Sequence, residues 1–217
     1  MARLSVNPTR MELTRLKARL RVAVRGHKLL KDKNDELVKR FLGHIKKNRD
    51  LRVEVERMMM ESHSGFLAAR AVMPSEAFEE ALMLPKRGAL LDVSGQNIMG
   101  VSVPVFEFKR EDMKPSDIYP YGFAATSGEL DRAVRALSDM LPHMLRLAES
   151  EKSAQLLARE IEKTRRRVNA LEHIIIPNYR ETIKYIGMKL EENERGARVR
   201  LMKVKDAMLR QAGYGQS

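Results

Sequence analysis

Cysteine and tryptophan are absent from this 217-residue chain, and only 5% of it is aromatic. Without cysteine there is no disulfide framework, no thiolate metal site and no thiol nucleophile, a composition that suits a reducing cytosol. With so few large aromatic groups, the chain is poorly supplied to fill a globular core. Long apolar runs are missing too: the longest are four or five residues, far below the roughly 20 that a membrane span needs. Met1-Ala2-Arg3-Leu4-Ser5-Val6-Asn7-Pro8 contains no signal-peptide apolar stretch, so a soluble protein not exported by that route is expected. The apolar fraction of 43% is nevertheless too high for disorder, and the chain should fold.

Proline and charge are distributed unevenly. No proline occurs between Thr9 and Met73, whereas Pro74, Pro85, Pro104, Pro115 and Pro120 crowd into the next segment. The formal charge of +12 divides into +10 over residues 1–57, −4 over 58–150 and +6 over 151–217. Basic ends, an acidic middle and a proline-rich centre predict a helix, an irregular insert and a second helix. The expected units are 1–73, 74–126 and 127–217.

Asn7-Pro8 and the capping box Thr9 to Glu12 open the first helix. From there Leu13, Leu16, Leu20, Ala23, His27, Leu30, Asn34, Leu37, Phe41, His44, Asn48, Leu51, Val55 and Met58 alternate at spacings of three and four. That pattern is a coiled-coil seam about six heptads long. The remaining positions are rich in Lys, Arg, Asp and Glu, as solvated faces should be. A second capping box, Thr126 to Glu129, starts another seam through Leu130, Val134, Leu137, Leu141, Met144 and Ala148. It resumes at Leu157, Ile161, Thr164, Val168, Leu171 and Ile175, then shifts phase through Tyr179, Ile183, Ile186 and Leu190. Pro142 and Pro177 lie inside this pattern and predict kinks at about 3 kcal/mol each.

Helices over 9–73 and 127–209 would span on the order of 100 and 120 Å, against a radius of gyration of about 17 Å for a compact domain of this length. Neither fits inside a globule, so the expectation is all-α: a long antiparallel two-helix coiled coil with a short β-hairpin insert at the turn end. Pairing residue 73 with 129 places Thr9 opposite about Asn193 and leaves the basic, apolar stretch from Arg195 to Leu209 overhanging. A partner for that stretch is the favoured reading, and a fraying terminus is its rival. In the insert, Leu90 to Val93 and Ile98 to Phe108 flank Ser94-Gly95-Gln96-Asn97, which predicts a hairpin turning there. Two strands alone are marginal in water, so the hairpin must lie on the coiled coil or on another protein.

Catalytic signatures do not emerge. Gly95-Gln96-Asn97-Ile98-Met99-Gly100 lacks the glycine spacing of a dinucleotide loop, and no phosphate-cradling Gly-Lys-Ser/Thr loop exists. No two of the five histidines are spaced i, i+4, and His27 and His44 occupy seam positions. As polar seam residues they pin register better than they bind metal, and Asn34 and Asn48 are read the same way. No cofactor is implied. Met58-Met59-Met60 covers more circumference than a two-stranded seam needs, as an adaptable contact surface or a thickened core. Arg165, Arg166 and Arg167 advance by about 100° each, so at least one projects outward, and a merely solvated face is the alternative reading.

Three stretches carry a resemblance: Asn7-Pro8-Thr9-Arg10-Met11-Glu12-Leu13; Gly26-His27-Lys28-Leu29-Leu30-Lys31-Asp32-Lys33-Asn34-Asp35-Glu36-Leu37; and Glu162-Lys163-Thr164-Arg165-Arg166-Arg167-Val168-Asn169-Ala170-Leu171-Glu172 with Ile176-Pro177. Together they resemble the D subunit of the V-type and A-type ATPases and ATP synthases, and the match covers nearly the whole chain outside the insert. The resemblance implies a central rotor shaft without bond chemistry of its own. Its two termini would enter a hexamer of catalytic A and nucleotide-binding B subunits. The F subunit would lie alongside, and the d (or C) rotor subunit would sit below the turn end, above the membrane ring. Such a protein is cytoplasmic and peripheral to the membrane as part of the complex, without direct insertion. On that reading Arg10, Lys17, Lys31, Arg165, Arg166, Arg167, Arg198, Met202 and Met208 are the expected hexamer contacts. Met58, Met59, Met60, Val101 and Val103 are the expected partner contacts at the turn end.

Two other classes compete. A basic coiled coil binding nucleic acid, or serving as a scaffold, would use the same charge. Here the basic residues are mixed with acids and no aromatic stacking platform interleaves them. A membrane-surface helix would need a Trp- or Phe-rich apolar face, which no segment has.

Overall fold

The computed structural model describes residues 4–84, 88–110, 118–122, 124 and 126–213. Helix α1 is Arg10–Val72, α2 is Ser75–Leu82, and strands β1 (Ala89–Ile98) and β2 (Val101–Arg110) follow; α3 is Gly128–Ala170, and a π-helical turn at Leu171–Ile175 leads into α4, Ile176–Gly213. The chain divides into two compact units, one of Met1–Asp35 with Lys163–Ser217 and the other of Glu36–Glu162. Each is an antiparallel helix pair, and the predicted all-α coiled coil with a small hairpin is what the chain forms.

Every α1 seam position from Leu13 to Met58 is buried or half-buried, while the positions between them are mostly exposed. Arg10 pairs with Glu194 across the first unit, within two residues of the predicted register. Thr9 Oγ1 accepts the Glu12 amide at 3.2 Å, but the Glu12 carboxylate turns to Arg15 instead of closing the box. The residues before the helix are not a simple lead-in. Thr9 N–H bonds to Asn7 O at 2.9 Å, and the chain ahead of it runs back along α4. There Leu4 N–H donates to the fully buried Thr182 hydroxyl at 3.3 Å.

The second helical arm departs from expectation in three ways. Ser127, not Thr126, caps α3: its Oγ accepts the Leu130 amide at 3.4 Å, and Thr126 Oγ1 bonds instead to Gly122 O. The seam of α3 also runs through Leu130, Ala133, Met140, Ser150, Ala154 and Leu157, while Leu137, Leu141, Met144 and Ala148 are exposed. Small residues explain the rotation, because Ala133 sits under Gly65 and accepts the Ser62 hydroxyl on its carbonyl at 3.3 Å. Finally, the helix continues through Pro142, and ahead of Pro177 it inserts the π turn. The wider turn relieves the clash that a proline ring makes with the carbonyl four residues back, and it shifts the seam phase where the sequence pattern shifts.

Beyond Met73, Pro74 takes φ −58° and ψ 142°, separating α1 from α2. Ala81 of α2 then joins Ala69, Met73 and Leu130 in a small core flanked by Phe66 and Phe78, whose rings meet edge-on at 6.4 Å. The Tyr121 hydroxyl donates to Asp131 at 2.8 Å, and burial together with that carboxylate pushes its pKa up.

The hairpin turns four residues later than predicted. Ile98 faces Val101 in the ladder, and Met99 (φ 54°) and Gly100 (φ 88°) form the left-handed pair of the turn. Asn97 Oδ1 accepts the Gly100 amide at 2.7 Å, so Ser94 to Asn97 belong to the strand. Nor does the hairpin stay at the turn end. Val101 and Val103 pack on Leu37 and Leu157, about 50 Å of helix from Met73, and Phe106 N–H donates to Glu149 Oε2 at 3.1 Å.

A methyl group at Gly65 would lie 3.0 Å from Ala133 Cβ, whereas one at Gly43 meets nothing within 4 Å. Gly65→Ala should therefore destabilise the chain by roughly 1–3 kcal/mol. Gly43→Ala should stabilise it by about 0.5–1 kcal/mol, and urea denaturation of both variants checks the sign difference.

Candidate functional site

The surfaces left for contact sort by unit. In the first, Thr164 and Val168 are buried in the seam, which directs Arg165, Arg166 and Arg167 outward on consecutive positions of α3. Lys17 and Lys31 are exposed on α1, and Arg10 is exposed but engaged with Glu194. Glu194 also takes Arg198 at 3.9 Å. Beyond it, every residue of α4 from Ala197 to Arg210 is exposed. This stretch carries Val199, Leu201, Met202, Val204, Met208 and Leu209 among Arg198, Arg200, Lys203, Lys205 and Arg210. A helix with apolar groups on all sides is ordinarily enclosed, and among the described residues nothing encloses this one.

The second unit changes the predicted turn-end set. Met58 is half-buried in the seam and Met59 and Met60 are exposed, so two of the three methionines present a soft apolar surface. Val101 and Val103 do not: at 8% and 3% exposure they are the hairpin's own anchors on the helix pair. The alternation of β2 was legible, but which face turned inward depended on where the hairpin lay. Sequence reasoning missed other exposed apolar groups. Leu137, Leu141 and Met144 project from α3 because the small-residue seam rotates them out. Met83 and Leu84 are exposed beside a cleft of about 580 Å³ lined also by Tyr121 and Pro120. Leu90, Leu91 and Val93 lie open on β1.

Three of the five histidines lie against carboxylates or in the seam. His27 Nε2 lies 3.3 Å from Glu172 in the π turn, and His143 Nδ1 lies 3.5 Å from Glu54. His44 is a half-buried seam residue, as predicted. Among the described residues no group of three His, Asp or Glu is placed to hold a metal ion, and no helix is long and apolar enough to cross a membrane. Some surface cations are paired: besides Arg10, Arg52 reaches Glu151 at 2.7 Å and Arg40 reaches Glu36 at 3.1 Å.

These features define a class, a coiled-coil protein with an appended hairpin that leaves basic and apolar positions exposed. The sequence matches the profile of the ATP synthase D subunit over residues 12–206. It is 67% identical over 212 residues to the V-type ATP synthase D subunit of Acetivibrio thermocellus, covering 98% of this chain and 96% of the relative. The protein of the same name from Clostridioides difficile (strain 630) is 63% identical over 212 residues, covering 98% and 95%. That from Clostridium novyi (strain NT) is 63% identical over 207 residues, covering 94% and 95%. The chain belongs to the ATP synthase D subunit family.

Val103→Asp would place a carboxylate against Leu37 and Leu157, at a penalty of several kcal/mol that is avoided if the hairpin lifts off. Limited proteolysis of the purified chain should then cut within 89–110 at least tenfold faster, with helical circular dichroism unchanged. Unaltered cleavage would mean that Val103 is not an intramolecular anchor.

Proposed function

We propose that the chain is the central-stalk rotor subunit of a V/A-type rotary ATPase, transmitting torque between the A/B hexamer and the ion-translocating membrane ring. The observation that carries this reading is the end of α4, both apolar and basic and exposed round its full circumference from Ala197 to Arg210. A sleeve of surrounding subunits would cover such a helix without having to match one face. The family relationship supports the same assignment.

A torque-bearing subunit needs a laterally stiff element that meets several neighbours in turn. An antiparallel helix pair supplies stiffness, and long-range charge attraction supplies contacts that tolerate changes of angle. Arg165, Arg166 and Arg167, with Arg10, Lys17 and Lys31, are assigned to acidic loops of the hexamer, and Arg198, Met202 and Met208 to the sleeve. In the second unit Met58, Met59 and Met60 remain the proposed contacts for the F subunit or the d/C rotor subunit, now without Val101 and Val103. The subunit itself is non-catalytic, and its place is cytoplasmic and peripheral, held by the complex. The nucleic-acid reading has no support from the family relationship, which favours the rotor assignment.

The chain should co-purify stoichiometrically with a nucleotide-hydrolysing A/B hexamer. Solvent-exposed charge contacts are worth about 0.2–1 kcal/mol each. Replacing Arg165, Arg166 and Arg167 together with Gln should therefore weaken association with the hexamer by roughly tenfold and reduce ion pumping per ATP hydrolysed. Unchanged coupling in an intact assembly would remove these arginines from the mechanism.

A further inference from the structure

Leu4 and Arg10 are close in sequence yet meet α4 far apart: Arg10 pairs with Glu194, and Leu4 N–H donates to Thr182 Oγ1 at 3.3 Å. The helix between those two partners measures about 18 Å, and the chain from Leu4 to Arg10 reaches about 20 Å only when close to fully extended. Residues 4–9 therefore lie extended along α4, and none of them is helical. Their direction is opposite to that of α1. Along α1 the facing residue number falls, from Glu194 at Arg10 to Glu172 at His27. Along the extended segment it rises, from Thr182 towards Glu194.

The reversal is encoded in Asn7-Pro8-Thr9. Thr9 N–H bonds to Asn7 O at 2.9 Å, a three-residue turn whose central residue needs φ near about −75°, and the proline ring holds φ at about −65°. Thr9 then accepts the Glu12 amide on its hydroxyl and the Leu13 amide on its carbonyl, so α1 begins at once. The far end of the segment is anchored too. Thr182 is fully buried, and its hydroxyl donates to Asn178 O at 2.7 Å while accepting from Leu4. Val6, between the two ends, is half-buried.

The reversal also excludes an alternative course. Continued back from Arg10 as helix, in the register of the Arg10 to Glu194 pair, Leu4 would face about residue 200. That course would cover the first part of the bare stretch of α4, which is exposed from Ala197 onward. We propose that residues 4–9 are a tether: they hold α1 at one register on α4, and by turning back at Pro8 they set the point where the paired helices end and the bare end of α4 begins. Sliding α1 by one heptad towards the end of α4, about 10 Å, would have to stretch a segment that is already extended or break its bond to Thr182. The register lock rests on the geometry of the chain itself. That the bare end receives the hexamer rests on the proposed rotor assignment.

The chain has no cysteine, so introduced pairs are unique, and Ser5, Lys184 and Val199 are all exposed. Spin labels on the full chain should place Ser5→Cys nearer to Lys184→Cys than to Val199→Cys by about 10 Å or more, and a short bismaleimide should bridge the first pair at least tenfold faster than the second. Equal separations, or faster bridging to position 199, would overturn the tether. Leu4→Pro removes the donated N–H and should broaden the distances between positions 5 and 184; a distribution as narrow as before would mean that the Thr182 bond holds nothing and would overturn the lock. A chain bridged between positions 5 and 184 should bind the A/B hexamer within twofold of the unbridged chain, because the tether stays closed. Weaker binding than that would make the segment a movable cover and overturn the fixed boundary. If the unbridged chain fails to bind, the rotor assignment falls, and the label distances still decide the tether.

Discussion

One narrow apolar seam holds α1 to its partners, and the other features of the chain depend on it. Outside the seam positions from Leu13 to Met58, α1 is largely charged, and a solitary helix of that kind gains little from burial. Helix α1 persists because α3 and α4 bring a matching stripe to it in antiparallel sense. Both units are held in this way, with Arg10 to Glu194 in one and Arg52 to Glu151 in the other marking the register. The charges across the seam are exposed and add little energy. They select register, and the buried Leu16, Leu37, Leu130, Leu157 and Ile186 supply the cohesion.

A seam so thin is sensitive to side-chain size. Where Gly65 meets Ala133 the helices come close together, and α3 turns so that small residues face inward and Leu137, Leu141 and Met144 face out. His44, Ser150 and Ser153 instead line a cleft of about 310 Å³. The hairpin sits beside that looser stretch as an added layer, its valines sealing the Leu37 and Leu157 contact. Close, loose and strapped stretches thus follow one another along the second unit, each traceable to the bulk of a few residues.

Periodicity explains why much of this was legible beforehand. A heptad pattern sustained from Leu13 to Met58 has no competing interpretation as strand or globular helix, so the α1 seam, its start at Thr9 and the phase shift near Pro177 could all be read directly. The exposed arginine run could be placed because Thr164 and Val168 flank it on the seam. Reading failed where the pattern was ambiguous by one position. On α3 leucines and methionines alternate with alanines and serines, and hydrophobicity alone chooses the leucines. Helix proximity chose Ala133 and Ser150 instead.

The helix pair, the absence of any thiol chemistry and the basic, apolar end of α4 were settled by the order of residues alone, because they follow from composition and from a repeat that local geometry converts into a face. The folded molecule was needed to settle where the hairpin lies, that Val101 and Val103 are anchors, that residues 4–9 fold back to Thr182, and which polar groups meet no protein partner. Each of these depends on which distant residue arrives opposite, and spacing along one chain segment contains no information about that.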